Sequence, residues 1–469
     1  MKIKGSYWLK SGAYSFMERI ALQLFRFGSF YLLVRGLTRH LFGIWTIFLL
    51  ITSIIEMLRF GLIQNALVKY LNSQENEKVK GRINTASIIL NLIITLLTSL
   101  IVFVLAQVAD FAFQVTLLDQ ILYLFIFTNV ALIPMVQLQV IQQANMDFRA
   151  IFISNLVRTG IFFAYVLYVY LDPDISYSLM LLAVTQIIGA IAGSIVSMIL
   201  GWKYINFSGK LDRNWLKELV WYGKFALGTN IASMLNKSID QLMLGLLINP
   251  VATAVYGTAI KIVNLIEVPT QSVAAIVFPK SAQMAEKEGS GSVKSLYEKS
   301  VGVILALVIP VVVFVWLFPK FILEVVAGPK YLDAVPLLRL TMLYGLLIPF
   351  ARQFGVIMDS IGKPQLNFFM VIASAILNVV FNYLFILQWD IVGAAYATLS
   401  TLFLLFIANQ YILYKEIGSN PFNAILYSQK VYANGFRLLW KKVIIREKEA
   451  IPSPAIPTTN PESDVKQGS

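Results

Sequence analysis

The sequence predicts an all-α polytopic membrane protein, with about twelve transmembrane helices in two six-helix lobes that a parallel internal repeat relates around a central cavity. The first observation is composition, since 58% of the residues are hydrophobic and only 13% are charged. The second is a mean hydropathy of +0.73, which reflects apolar runs along nearly the whole chain. The third is a set of residues that match between the two halves at a nearly constant offset. A soluble domain carries roughly a quarter charged residues, so one anchored soluble domain is excluded.

Each predicted span is an apolar run of about 20 residues, the length that crosses a bilayer as a helix. The runs are too long and too continuous for the strands of a membrane barrel. The candidate spans lie near residues 12–34, 41–65, 84–108, 118–142, 150–171, 176–200, 220–248, 252–279, 298–319, 333–358, 366–387 and 391–414.

Loop charge predicts the orientation, because cytoplasmic loops carry an excess of Lys and Arg. The segments assigned to the inside hold Lys2, Lys4, Lys10, Lys69, Lys78, Lys80, Arg82, Arg149, Lys203, Lys210, Arg213, Lys217, Lys280, Lys287, Lys294 and Lys299. The opposite loops hold Arg35, Arg39, Lys320 and Lys330 beside Asp110, Asp119, Asp172, Asp174 and Asp390. Both termini are therefore expected in the cytoplasm, and the membrane is expected to be the inner (plasma) membrane of a bacterial cell.

The flanks of the spans complete the expected domain order. The basic N-terminus shows no cleavage site, so residues 1–11 are predicted to lie at the membrane interface before a retained first span. The two lobes are expected at 12–210 and 211–415. Residues 416–449 mix aromatic and basic residues, which favours a cytoplasmic amphipathic helix over a thirteenth span. The Pro-rich end, 450–469, is predicted to be a disordered tail.

Composition also excludes several kinds of chemistry. The chain has no cysteine and its single histidine is His40, which excludes disulfides, thiolate metal sites and Cys nucleophiles and argues against catalytic triads. We therefore expect no enzyme activity, no metal and no cofactor. The net charge of +13 is typical of cytoplasmic loops in a membrane protein and gives no reason to expect nucleic acid as a partner.

The two halves match at an offset of 211 or 212 residues, which predicts a duplication. Residues 41–62 align with the stretch that begins "AVYGTAIKIV". The matched pairs are Trp45 with Tyr256, Glu56 with Glu267, Lys69 with Lys280, and Met146-Asp147 with Met358-Asp359. An even number of spans in each half makes the repeats parallel, as in transporters with two bundles around a central path.

Two stretches carry a family resemblance. The stretch "NKSIDQLMLGLLINPVATAVYGTAIKI" resembles the middle of the polysaccharide-export and oligosaccharide-lipid flippase family (Wzx-like), with Ala254 where that family often has Gly. The stretch "GKPQLNFFMVIASAILNVVFNYLFILQWDIVGAAYATLST" is similar to the late region of the same family, and the likeness covers about residues 5 to 415. The resemblance implies the fold of the multidrug/oligosaccharidyl-lipid/polysaccharide superfamily, with a cationic cavity. It implies transport of undecaprenyl-pyrophosphate-linked glycans to the outer leaflet.

Basic residues inside the spans are the candidate substrate-binding residues, because each charge costs about 2.5–3.5 kcal/mol at the centre of a bilayer. Arginine offers bidentate donors to phosphate oxygens, so a stripe of such residues suits a diphosphate. Arg26 and Lys261 have no acidic residue three or four positions away. The candidates are Arg19, Arg26, Arg59, Arg158, Lys237, Lys261 and Arg352. Snorkelling is the alternative for Arg19, and a pair with another helix is the alternative for Arg158.

Four acidic residues inside or at the ends of spans are the candidates for ion coupling: Glu56, Asp240, Glu267 and Asp359. Two of them lie three positions from a basic residue, which predicts local Glu56–Arg59 and Lys237–Asp240 pairs on single helix faces. Such pairs are either structural or part of a cavity that binds substrate or a proton, and the sequence leaves both interpretations open. Asp359 shares a face with Arg352 near a helix end, where solvation is its alternative role.

The function that fits these observations is a flippase for lipid-linked oligosaccharide (an O-antigen, capsule or exopolysaccharide repeat unit), acting by alternating access and coupled to an ion. The expected partners are the lipid-linked glycan, membrane lipids, and a polysaccharide polymerase or export machinery. A multidrug/cation antiporter of the same superfamily is the alternative. A membrane glycan polymerase is disfavoured by the short outer loops. A major-facilitator transporter is disfavoured because the loop after the second span, "KYLNSQENEKVKGR", lacks the glycine-aspartate-arginine pattern of that family.

Overall fold

The structure, a computed structural model, describes residues 5–113, 117–208 and 211–433. Within these ranges it is helical, without a strand. The α-helices are α1 (Gly5–Gly36), α2 (Arg39–Ser73), α3 (Glu77–Phe113), α4 (Leu118–Ala131), α5 (Ile133–Ala144), α6 (Phe148–Leu171), α7 (Leu179–Gly201), α8 (Arg213–Leu247), α9 (Pro250–Val263), α10 (Glu267–Glu288), α11 (Lys294–Leu317), α12 (Pro319–Ala327), α13 (Val335–Met342), α14 (Tyr344–Ser360) and α15 (Pro364–Ile417). One more helix follows at 421–433.

The helices have the length and composition of membrane spans. Eight segments of the described chain are long and apolar enough to cross a membrane, and α4 with α5 makes a ninth across a 44° bend. Pro134 lies in the first turn of α5 and interrupts the hydrogen-bond ladder there. Each apolar run predicted from the sequence lies, to within a few residues, inside one helix or inside consecutive helices, several of which extend further than the run. The prediction of an all-α polytopic membrane protein is confirmed.

The longest segment, α15, contains two of the predicted spans. Its 54 residues would extend about 80 Å as one helix, far more than the roughly 30 Å of a hydrocarbon core. The backbone breaks at Trp389 and Asp390, and the chain folds back. A Cβ atom on Gly393 would lie 2.0 Å from the carbonyl oxygen of Phe385, so glycine is required for the two arms to meet. The runs at 366–387 and 391–414 are therefore separate helices.

Helix α2 is the element that joins the two halves of the chain, because it packs along both α8 and α9. Near the start of α2, a Cβ on Gly43 would lie 1.9 Å from the carbonyl oxygen of Pro250. Further along, a Cβ on Gly223 of α8 would lie 2.2 Å from the carbonyl oxygen of Leu62. At the far end, Tyr70 contacts Trp215 edge-on. These close backbone approaches make a seam along the length of α2.

One short helix, α12, was not predicted, because its nine residues are too few to span a bilayer. Proline occupies its first turn, a position that needs no N–H donor. Gly328 ends it with a φ of +86°, a conformation that favours glycine. Residues 329–334 then form a 3₁₀ segment that leads into α13.

The flanks match the expected order only in part. Helix α1 begins at Gly5, so it includes much of the predicted interfacial segment 1–11. The helix at 421–433 lies along α11, where Asn423 donates to Glu298 and Tyr432 donates to the carbonyl oxygen of Ala306. The remainder of the predicted amphipathic helix and the predicted tail at 450–469 lie outside the described residues. The lobe boundaries at 210 and 415 stay predictions.

Candidate functional site

Two cavities adjoin in the interior of the helix bundle. The larger has a volume of about 620 Å³ and is lined by α1, α8, α9, α10, α14 and α15. The smaller has a volume of about 480 Å³ and is lined by α1, α2, α5 and α6, with Leu132 between α4 and α5. The side chain of Arg26 lines both, so it marks the place where the two cavities adjoin.

Three predicted basic residues reach the cavities without a partner. Arg26, Lys261 and Arg352 are exposed, and among the described residues none of the three has a hydrogen bond or an ion pair. The ammonium group of Lys261 lies within electrostatic range of the Arg26 guanidinium group. Two like charges so placed repel each other, so an anion that bridges them would be favoured. The side chain of Arg19 lies outside the described part of the structure.

Lys237 lines the larger cavity, but the predicted pair with Asp240 is wrong. Its Nζ atom lies 2.9 and 3.0 Å from the two carboxylate oxygens of Glu267 on α10. Gln271 donates to the same carboxylate. The lysine side chain is long enough to reach α10, while the shorter Asp240 side chain is buried at the edge of the cavity against α9 and α15.

Asp240 is a buried carboxylate that three helical segments surround. Tyr256 of α9 donates to its Oδ2 atom at 2.7 Å, as does Thr398 from the second arm of α15. Asn382 from the first arm donates to Oδ1 at 2.6 Å. The Oδ1 atoms of Asn378 and Asn382 are buried, and no described residue donates to them. The cluster thus combines a carboxylate with two unsatisfied amide oxygens, the kind of oxygen ligands that hard cations prefer.

The predicted Glu56–Arg59 pair is also wrong, because each residue has a different partner. Glu56 accepts from Arg158 of α6 at 2.6 Å, in the smaller cavity. Arg59 is only 1% exposed; its Nε atom donates to Asn91 of α3, and Nη1 donates to Asn129 of α4. Of the two alternatives for Arg158, the structure supports the pair with another helix. Arg59 holds α2 against α3 and α4, and its buried Nη2 atom has no acceptor in the described part of the chain.

Asp359 lies in the last turn of α14, and neither cavity includes it. Both of its carboxylate oxygens accept from the amide of Asn367, at 3.0 and 3.1 Å. Arg352 lies within electrostatic range but forms no ion pair with it. The exposed carboxylate of Asp359 agrees with the alternative interpretation that this residue is solvated at a helix end.

Sequence reasoning missed most of the uncharged polar lining. The larger cavity is lined by seven amide side chains: Gln23, Asn236, Asn264, Gln271, Asn367, Asn378 and Asn409. An amide within an apolar span costs free energy unless it has a partner, so its position alone was a readable signal. Together, six basic and three acidic side chains among the described residues line the two cavities, an excess of three positive charges.

The sequence model of a family described as "Polysaccharide biosynthesis protein" matches residues 32–336, more than half of the chain. The chain belongs to that family. Among curated relatives of this chain, an uncharacterized membrane protein of Methanocaldococcus jannaschii is 28% identical over 267 residues, 57% of this chain and 51% of the relative. The "Probable low-salt glycan biosynthesis flippase Agl15" of Haloferax volcanii is 25% identical over 211 residues, 44% of each chain. The chain thus matches about half the length of these relatives.

Solved structures show the same fold. A multidrug resistance MATE-family transporter of the MOP superfamily, in an inward-facing conformation, superposes with a TM-score of 0.68 at 14% identity, covering 84% of this chain and 94% of the transporter. The lipid II flippase MurJ, in an inward closed conformation, superposes with a TM-score of 0.67 at 13% identity, covering 93% of this chain and all of MurJ (100%). At these identities the likeness to solved structures establishes a shared architecture, while membership of the family rests on the match to the family model.

Proposed function

We propose that this membrane protein flips an oligosaccharide linked through pyrophosphate to a polyprenyl carrier, undecaprenyl in a bacterial cell. The cargo would be an O-antigen, capsule or exopolysaccharide repeat unit. The observation that carries the proposal is the lining of the larger cavity, where Arg26, Lys261 and Arg352 have no hydrogen bond or ion pair among the described residues. Glu18 and Glu56 lie within electrostatic range of Arg26, and Asp359 within that of Arg352, without forming ion pairs. Unneutralised charge inside spans is costly, and a diphosphate is a ligand that would neutralise it.

The lining divides into groups suited to the two parts of such a cargo. Arg26 and Lys261 come from α1 and α9, from different halves of the chain, and both line the larger cavity within electrostatic range of each other, which suits a ligand with two phosphate groups. The amide side chains of the larger cavity offer both donors and acceptors, which suits the hydroxyl groups of a glycan. The Haloferax volcanii relative, which is named as a probable flippase of glycan biosynthesis, supports the proposal that the cargo is a glycan.

Ion coupling is assigned to Asp240. Its carboxylate is buried, and its charge can be cancelled by a proton or by a cation held with Asn378 and Asn382. The charge of an arginine such as Arg59 cannot be cancelled by loss of its proton, because arginine stays protonated at any physiological pH. Glu56 and Glu267 are occupied by ion pairs, and we assign them to holding the cavity wall.

The proposed orientation places both termini in the cytoplasm and the larger cavity on the path between leaflets. The location is the inner membrane of a bacterial cell, where a polymerase or export machinery would take up the flipped unit. Basic residues crowd the loops assigned to the cytoplasmic side, which supports this orientation.

The test is transport of a lipid-linked oligosaccharide by the purified protein in liposomes. Arg26→Ala and Lys261→Ala should each weaken cargo binding about ten- to hundredfold, the factor for hydrogen bonds to a charged group. Arg26→Lys should recover only part, because the bidentate fork is lost. Lys415→Ala removes a basic residue of α15 outside both cavities and should leave transport unchanged.

Full transport by the Arg26→Ala/Lys261→Ala double variant would overturn the cationic-cavity mechanism. The next measurement would then be extrusion of cationic drugs, the activity expected of a multidrug antiporter with the same fold. Loss of transport with normal insertion and unchanged thermal unfolding would support the flippase.

A further inference from the structure

Three basic residues stand on the side of the membrane where the positive-inside rule disfavours them. Arg35, Arg39 and Lys330 belong to the loops assigned to the outer face, while most loop Lys and Arg residues lie on the other face. Neither cavity includes any of the three. All three are engaged at one place, between the junction of α1 and α2 and the segment that runs from α12 through residues 329–334.

The contacts between these two elements are reciprocal. Arg35, at the end of α1, donates through Nη2 to the carbonyl oxygens of Glu324 and Val325 at 2.8 and 2.6 Å. These carbonyls belong to the last turns of α12, where a helix is short of donors and its dipole favours a cation. In return, Lys330 donates to the carbonyl oxygens of Arg35 and Leu37, just where α1 ends.

An ion pair completes the junction beside this exchange. Both Nη atoms of Arg39 donate to the carboxylate of Asp333, at 2.8 and 2.6 Å. The Tyr331 ring is fully buried beneath, with the Arg39 guanidinium 5.2 Å from its centre and the Phe42 ring edge-on. The side chains of Arg39 and Asp333 remain 30% and 56% exposed. Exposed pairs contribute little individually, so the junction can open and close reversibly.

We propose that Arg35, Arg39, Lys330 and Asp333 form a latch that closes the cavity on the outer face and that must open for cargo to leave. This inference rests on the proposed flippase function and orientation. The latch joins the first half of the chain to the second at the outer end, while the seam along α2 and α8 continues to the opposite end at Tyr70 and Glu218. The seam can act as the axis about which the latched side opens.

The absence of cysteine from the chain makes the latch testable by labelling. Ile348→Cys places one thiol on the wall of the larger cavity. An impermeant thiol reagent is applied from the outer side of oriented vesicles. Adding Arg39→Ala or Asp333→Ala should raise the labelling rate about two- to fivefold, the equilibrium factor for an exposed ion pair. The charge swap Arg39→Asp/Asp333→Arg should return the rate toward that of Ile348→Cys alone.

The matched control is Lys320→Ala. Lys320 is a basic residue of α12 at the same end; it is exposed and has no hydrogen bond or ion pair within the described part of the chain. It should not change the labelling rate. Equal labelling in the latch variants and in this control would overturn the latch, whatever the cargo proves to be.

A second measurement separates the latch from the proposed function. Arg39→Cys/Asp333→Cys, joined by a short cleavable bifunctional thiol reagent, should stop transport until the cross-link is cleaved. Binding of undecaprenyl pyrophosphate in detergent should persist in the cross-linked state. Full transport by the cross-linked protein would refute the latch while leaving the flippase intact. Labelling that responds to the latch variants in a protein that flips no glycan would retain the latch and refute the flippase.

Discussion

The two halves of the chain each bury one charged side chain beside a cavity, and the two charges have opposite sign. In the first half, Arg59 is fixed by Asn91 and Asn129. In the second half, Asp240 is fixed by Tyr256, Asn382 and Thr398. Among the described residues, neither buried charge has an ion-pair partner. Amide and carbonyl groups bind Arg59, although its Nη2 atom is left without an acceptor, and amide and hydroxyl groups bind Asp240.

The difference in sign separates the two roles. Arginine keeps its proton under all physiological conditions, so the first half holds a permanent charge that can only be structural or bind an anion. A carboxylate can be neutralised, so only the buried charge of the second half can change state during a transport cycle. Each half also holds an ion pair at one of the matched glutamates. Glu56 pairs with Arg158 of α6 and Glu267 pairs with Lys237 of α8, and these two helices do not correspond in the repeat.

The largest expected effect comes from removing the two buried charges in turn. Arg59→Met leaves the acceptors of Asn91 and Asn129 buried and unpaired, which should lower the free energy of unfolding by about 2–4 kcal/mol. Asp240→Asn keeps the shape and part of the hydrogen bonding, so it should cost less, about 1–2 kcal/mol. Thermal unfolding in detergent measures both.

Transport assays sharpen the same pair of variants. Asp240→Asn should bind cargo yet lose any dependence of transport on a sodium or a proton gradient, and testing the gradients separately identifies the coupling ion. If Asp240→Asn kept its gradient dependence, the comparison would fail, because the second half would then hold only another structural charge.

A smaller difference is expected between the two ion pairs. Arg158 and Glu56 are 28% and 36% exposed, whereas Lys237 is 62% exposed beside Glu267. Arg158→Gln should therefore cost about 1 kcal/mol of stability, and Lys237→Gln only a few tenths, because exposed pairs contribute little. The measurement is the shift in unfolding midpoint of each variant, with Glu56→Gln and Glu267→Gln completing two double-mutant cycles. Equal coupling energies in the two cycles would show that burial does not distinguish the pairs.

Sequence reasoning reached the helices but not the partners of the charges. An apolar run can be read from neighbouring residues alone, so the sequence predicted two spans with a gap at 388–390. The break of α15 at Trp389 and Asp390 lies in that gap. Ion pairs cannot be read from neighbouring residues in the same way. Lys237 of α8 pairs with Glu267 of α10 and not with Asp240 of its own helix. The seven amides of the larger cavity were visible as polar residues in apolar runs, but only the packing of six helices shows that they line one space. The short helix α12 carried no hydropathy signal.

The smallest expected effect concerns two matched turns, at Asp147 in the first half and Asp359 in the second. Asp147 is the N-cap of α6 and accepts from the backbone N–H of Ala150, from Tyr204 and from Lys203. Within the described chain, the Asp359 carboxylate caps no helix and accepts only from the Asn367 amide. Asp147→Ala should therefore cost about 1 kcal/mol, the usual value of a cap, and Asp359→Ala should cost about half as much.

The pH dependence of the Asp147 contribution provides the decisive measurement. Burial alone would raise the pKa of its carboxyl group, but hydrogen bonds from Lys203, Tyr204 and the Ala150 N–H outweigh burial and hold the pKa below its ordinary value. A carboxyl group with a lowered folded-state pKa stabilises the fold above its unfolded-state pKa of about 3.9 and loses that stabilisation as the pH falls through the folded value. The stability difference between the parent protein and Asp147→Ala should thus be constant from neutral pH to about pH 5 and shrink below about pH 4. A difference that grew on acidification would mean that Asp147 is bound in its protonated form, and the cap assignment would be wrong.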